Sequence, residues 1–171
     1  MDLKKFVLNS FLLAIGVLLH QITPPLFLGM KPDFSLIMLF IIILFNKDFK
    51  QCLAAGLVAG IFTALTTGFP GGQVANVADK LITTIFIFLA VRIFSKYMKK
   101  QILVILLLAI GTLISGTVFL STAAFIAGLP GNFHELFAFI VLPASLINTI
   151  VGIVLYNVIN ISMERINFTH R

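Results

Sequence analysis

About six long apolar runs, joined by short polar links, constrain this chain more than any motif in it. Hydrophobic residues make up 60% of its 171 positions and charged ones 11%, and mean hydropathy is +1.13. A soluble domain of that size cannot hide so much apolar surface, so lipid must form part of the solvent. Inside a bilayer the backbone has to satisfy its own polar groups, which leaves helices or a closed barrel. The runs are continuous rather than alternating, and that selects helices. The expected fold class is an all-α membrane protein: a single integral domain over residues 1–171, a bundle of about six transmembrane helices.

The breaks between runs place those helices. The first runs from about Phe6 to Ile22 and ends at Pro24 and Pro25. Its start, with basic residues ahead of an apolar core, mimics a signal peptide, but HQITPP follows in place of a small-x-small cleavage site, so it reads as a retained helix. The second runs from about Pro32 to Phe45, with Pro32 suited to a first turn. It is short for a span, and a buried or re-entrant helix is the competing reading. The others run from about Gln51 to Thr67, Gln73 to Phe94, Ile102 to Ala127 and His134 to Met163. GFPGG and GLPGN each follow a helix, where Gly suits a left-handed cap and Pro-Gly a tight turn.

Charge orients the bundle. With six spans and both termini inside, Lys4, Lys5, Lys47, Lys50, Arg92, Lys96, Lys99, Lys100, Arg165 and Arg171 are cytoplasmic. Of the twelve basic residues only Lys31 and Lys80 fall elsewhere. The net charge of +6 is thus a topology signal, and no basic-aromatic patch points to nucleic acid. The expected location is a bacterial cell membrane, crossed several times.

The other end gathers most of the unusual polarity: His20, Gln21, Lys31, Asp33, Gln73, Asn76, Asp79, Lys80, His134, Glu135 and Asn148. Charges in or beside membrane helices are costly and mark function by default. Helix neighbours point about 100° apart, so Asp79 and Lys80 need not pair with each other. Each then wants a distant partner, such as Asp33 or Lys31, or a ligand charge; a structural ion pair joining helices 1, 2 and 4 is the alternative. Gln73, Asn76 and Lys80 share one face by their three- and four-residue spacing. That face can bind a carboxylate and orient a polar heteroatom, or serve capping and interhelical bonding. Phe69 and Phe133 lie near the same end; among eighteen phenylalanines either could equally be core or lipid-facing. His20 closes the first helix, and as an interface histidine it needs no metal.

Three scattered histidines and one cysteine, Cys52, do not make a metal site. No phosphate loop, hydrolase triad or His-Glu-x-x-His is present. The expectation is a non-enzyme with no cofactor. Two stripes with small residues remain: Ser10 and Ala14 on the first helix, with Leu18 the next position at the same spacing, where a partner protein could approach, and Ala55, Gly56, Ala59, Gly60 and Ala64 on the third, which suit internal packing.

The ordered motifs HxxxPP (His20 to Pro25), GMKPD (Gly29 to Asp33), LTTGFPGGQ (Leu65 to Gln73), Asp79-Lys80, SGTVFLS (Ser115 to Ser121), GLPG (Gly128 to Gly131) and LPASLINT (Leu142 to Thr149) resemble the bacterial tryptophan transporters of the energy-coupling-factor (ECF) class, over nearly the whole chain. The resemblance implies the substrate-binding subunit, or S component, which takes L-tryptophan from outside. A separate transmembrane scaffold and two ATPases supply the energy, and the binding subunit topples to release its cargo inward. It implies scaffold docking through Ser10 and Ala14, with Ser standing where Ala is usual. In the site it implies a carboxylate met by Lys80 or Lys31 and an ammonium met by Asp79, Asp33 or Glu135. The ring would lie among Phe69, Phe133 and Leu129, its N–H on Gln73, Asn76 or a backbone carbonyl. The chain itself contains no tryptophan, which suits a scavenger of that amino acid. The alternatives are an ECF-class subunit for a vitamin or modified base, a cell-shape scaffold of the rod-morphogenesis type with no polar pocket, and an intramembrane enzyme.

Overall fold

A computed structural model describes residues 3–24 and 32–165 of the chain. Among them the secondary structure is helical: α1 (Leu3–Ile22), α2 (Phe34–Phe45), α3 (Phe49–Thr66), α4 (Gly72–Phe94), α5 (Lys100–Ala127) and α6 (Phe133–Arg165). The apolar runs become a helical membrane bundle, and α1, α3, α5 and α6 are each long and apolar enough to cross a membrane. The face of α6 carrying Leu146, Ile150, Val154, Val158 and Ile161 is exposed along its length, a surface fit for lipid and not for water.

The helices alternate in direction through short links, and α2 stands in the middle with the others packed around it. Every residue from Ser35 to Ile43 is at most 1% exposed. This resolves its brevity. Twelve residues rise only about 18 Å, well short of a roughly 30 Å hydrocarbon core. A helix covered on all sides by protein can begin within the membrane thickness, because non-helical backbone is tolerated there when protein surrounds it. Pro32 does not occupy the first turn. It lies before the helix, and Asp33 is the N-cap, its Oδ1 accepting the Leu36 N–H at 3.1 Å.

Small residues set the closest helix contact. On α3, Gly56 faces Thr84 and Gly60 lies against Val77, so a Cβ at either would crowd α4. The Gly68–Gly72 turn needs its left-handed residue at Gly71 (φ 69°), the N-cap of α4, and not at Gly68. The link between α5 and α6 does use positive φ right after its helix, at Gly128 (φ 76°).

The final helix holds one irregularity. From Phe137 to Val141 it is π-helical, and the Leu142 N–H reaches back to the Phe137 carbonyl, five residues away. Pro143 follows directly and has no N–H for the Phe139 carbonyl, so the helix widens at that point.

The bundle has two unlike ends. At one, Lys47, Lys50, Arg92, Lys96, Lys99 and Lys100 are exposed. The Arg92 guanidinium donates to the Lys47 carbonyl, and Lys100 bonds Asn160 Oδ1 at 3.0 Å while lying over the Phe45 and Tyr156 rings. The core above this end is mostly aliphatic, built on Leu36 to Ile43 with Leu103, Val104, Leu107 and Leu108. The other end holds a second, smaller cluster around Phe69, Phe119, Leu120, Ile140 and Val141. A cavity lies beside it.

Candidate functional site

Five helices wall the cavity. His20 comes from α1; Asp33 and Leu36 from α2; Asn76, Asp79 and Lys80 from α4; Thr112, Ser115 and Phe119 from α5; Ile140, Val141, Ala144 and Asn148 from α6. Phe69 and Thr67 reach it from the α3–α4 turn. Its free space is about 80 Å³, room for several waters at roughly 10–15 Å³ each.

Lys80 is the centre. Its side chain is 1% exposed, yet it carries an ammonium in the middle of the bundle. Two carboxylates hold it: Asp33 Oδ2 and Asp79 Oδ2, each 2.6 Å from Nζ. The two acids are held in turn. Asp79 accepts from Thr83 Oγ1 and from Ser115 Oγ, both at 2.9 Å. Asp33 accepts from Ser35 Oγ at 2.6 Å and caps α2. His20 Nδ1 lies 3.2 Å from the Pro32 carbonyl and 3.5 Å from Asp33 Oδ1. A carbonyl only accepts, so Nδ1 is the protonated nitrogen in that contact. The network ties α1, α2, α4 and α5 together. Such a buried arrangement is tolerated because almost every lone pair and proton in it is used.

The ledger of charge is uneven. With both carboxyls ionised, two negative groups face one ammonium, and one negative charge stays in excess inside a low-dielectric wall. A cationic group entering the cavity would be drawn to Asp33 and Asp79, whereas an anionic one could meet only the Lys80 N–H that the two acids leave unused.

The apolar part of the wall comes from Phe69, whose ring meets Phe119 edge-on at 5.3 Å, and from Leu36, Ile140, Val141 and Ala144. Opposite, Asn76 Nδ2 donates to the Gly72 carbonyl at 2.8 Å and to the Thr63 carbonyl at 3.4 Å. At the deep end Asn148 Nδ2 meets Thr112 Oγ1 at 3.4 Å.

Of the residues that the sequence singles out, His20, Asp33, Phe69, Asn76, Asp79, Lys80 and Asn148 come together here. Gln73 does not: it is exposed on the first turn of α4, outside the cavity lining. Phe133 is half-buried and stacks on Phe137 at 6.4 Å behind the wall. Leu129 packs on the same cluster, and Gln21, His134 and Glu135 are exposed. Lys31 lies outside the described residues. Asp79 and Lys80, whose helical directions do not require them to pair, do pair, and Lys80 also takes the distant partner Asp33. Sequence reasoning missed Thr67, Thr112 and Phe119 as lining and gave Ser115 no role. The signal was the spacing of Thr112, Ser115 and Phe119, which puts all three on one face of α5.

Away from the cavity, Ser10 and Ala14 are exposed on α1. They line a broad groove between α1 and α3 with Leu13, Val17, Ala54 and Val58. The Ser10 hydroxyl folds back to the Phe6 carbonyl at 3.0 Å, so this position presents a small, internally satisfied surface. Among the described residues no group of His, Cys, Asp and Glu could hold a metal ion.

Comparison with known proteins places this geometry in context. The family model described as "Tryptophan transporter TrpP" matches residues 2–164. A Clostridium acetobutylicum protein described as "Probable tryptophan transport protein" is 51% identical over 164 residues, covering 96% of each chain. A Clostridium perfringens protein of the same description is 46% identical, over 95% of this chain and 94% of its own. One from Bacillus subtilis is 44% identical, over 98% and 97%. No solved structure matches the chain.

Proposed function

The chain belongs to the tryptophan transporter TrpP family, and from that premise we propose that it is the substrate-binding subunit of an ATP-driven uptake system, lodging L-tryptophan in the cavity between α2, α4, α5 and α6. The observation that carries this is the cavity's pairing of an acidic, lysine-bridged cluster with a phenylalanine-lined wall. Tryptophan has the same two parts. Its ammonium meets Asp79 and Asp33, whose combined charge exceeds what Lys80 neutralises. Its ring meets Phe69, Phe119, Ile140 and Val141. A mostly apolar pocket with a few placed polar groups is the usual form of such sites. Lys80 acts chiefly by holding the two acids apart and in place, and its remaining N–H can reach the ligand carboxylate. The free space is smaller than a whole amino acid of this size, so Phe69, Phe119 and the π-helical stretch move apart as it enters.

The cavity lies towards the end of the bundle formed by His20, Asp33 and the α3–α4 turn, opposite the exposed lysines and arginines, which is the outer end if basic residues face the cytoplasm. Entry is therefore from outside, in a bacterial plasma membrane. Energy comes from partner proteins of the ECF class, a transmembrane scaffold and two ATPases. The exposed Ser10–Ala14 face beside its groove suits the approach of a scaffold helix. The chain has no cofactor of its own in this reading.

Titration calorimetry of the purified chain in detergent tests the binding part. Saturable binding of L-tryptophan, weakened about tenfold or more by Asp79→Asn, is the expected result; a saturable isotherm with a vitamin or base and none with tryptophan would replace the cargo. Uptake of labelled tryptophan in cells tests the coupling part. Transport should stop when the scaffold is deleted and fall when Ala14→Phe blocks the helix face, while binding by the purified variant persists.

A further inference from the structure

Asn148 is fully buried, lines the deep end of the cavity, and its Oδ1 has no hydrogen-bond partner among the described residues. Buried amide oxygens are rarely left so, and each case asks for a reason. The orientation of the amide follows from its neighbour. Thr112 Oγ1 donates its proton to the Leu108 carbonyl at 2.7 Å, so towards Asn148 it offers only a lone pair. The Asn148 nitrogen, at 3.4 Å, is therefore the atom that faces Thr112, and the oxygen faces the other way. Lining residues Ile140, Val141 and Ala144 lie just before it on α6, in the π-helical stretch or at its exit. π-Helical turns of this kind recur at functional sites because they let a helix change width locally.

Position decides what the oxygen is for. Ser115, bonded to Asp79, and Thr112, bonded to Asn148, are three residues apart on α5, about 4.5 Å along the axis. An amino acid whose ammonium meets Asp79 would reach this level with its ring. The surroundings there are apolar, so the ring needs one acceptor and no more. Resting on the tryptophan reading above, we propose that the Asn148 side-chain carbonyl accepts the indole N–H and selects tryptophan against ligands of the same shape that lack that hydrogen. Gln73 stands outside the cavity, and Asn76, three residues before Asp79 on α4, lies on the side of Asp79 away from the level of Thr112, where α4 meets the far end of α5. A site that holds a buried acceptor for a substrate N–H rejects the analogue without one, because the acceptor is then left unpaired in a dry wall.

The test is calorimetric and uses the full chain with L-tryptophan and L-3-(benzothiophen-3-yl)alanine, in which sulfur replaces the indole N–H. Wild type should bind the sulfur analogue at least about tenfold more weakly. Asn148→Leu should erase that ratio, lowering tryptophan affinity about tenfold while leaving the analogue nearly unchanged. Asn148→Ser is measured beside it, so that misfolding of one variant does not decide the matter. A wild type that binds both ligands equally, or a preference that survives both substitutions, removes Asn148 from this role and leaves the tryptophan reading intact. A wild type that binds neither ligand overturns both.

Discussion

Around Leu39, Ile42 and Leu108 the bundle is filled with apolar side chains, mostly aliphatic with Phe40, Phe88 and Tyr156 among them, while about two turns nearer the start of α2, at Asp33, the same helix meets a lysine, a histidine and its own Ser35 hydroxyl. Both regions are buried, yet they hold together by different means. In the aliphatic region each side chain contributes by filling volume, and loss of one leaves a void. In the polar region each group is tolerated only because another is present, and loss of one leaves a charge or a donor stranded. Specific recognition belongs to the second kind of packing, since a stranded charge is what a ligand can relieve. The first kind seals.

The widest gap between the two should appear on removing the shared cation. Lys80→Met would leave Asp33 and Asp79 facing each other and cost roughly 3–5 kcal/mol of stability, read as a large fall in the unfolding midpoint in detergent; an unchanged midpoint would put the polar region on the same footing as the aliphatic one. Next comes Leu39→Ala, in the sealed region, at about 2–5 kcal/mol. Here the folded fraction should keep its tryptophan affinity, because nothing at Leu39 touches the cavity, and a matching loss of affinity would show that the regions are coupled. The smallest effect belongs to Gln73→Ala. At an exposed first-turn position the change should stay within about 0.5 kcal/mol and leave the binding isotherm as it was; a clear loss of affinity would move the site outward by a turn of α4.

Much of this is legible in the sequence. Continuous apolar runs gave the helices to within a few residues, because Pro24 and the glycine turns leave few choices for where backbone can break. Asn76, Asp79 and Lys80 stood out because charge is scarce here, and scarcity inside lipid is informative. Gln73 was drawn in by its spacing from Asn76, but periodicity says which way a residue points and not whether a neighbouring helix extends far enough to meet it. The pairing of Asp79 with Lys80 depended on the bend of a flexible side chain, which Cα directions do not describe. Thr112 and Ser115 hid among aliphatic neighbours, since one hydroxyl in an apolar helix can always bond its own backbone, as Thr112 does. The π-helical stretch has a cause in Pro143, yet many membrane helices carry a proline without it.

The buried run of α2 has one more consequence. Nine successive side chains, Ser35 to Ile43, are wedged between all their neighbours beneath the cavity, so the protein resembles a stoppered vial more than a tube. Drawing that stopper would mean undoing the most tightly fitted contacts in the molecule. If the proposed cargo settles above it, moving the bundle as a whole would cost less than piercing its base.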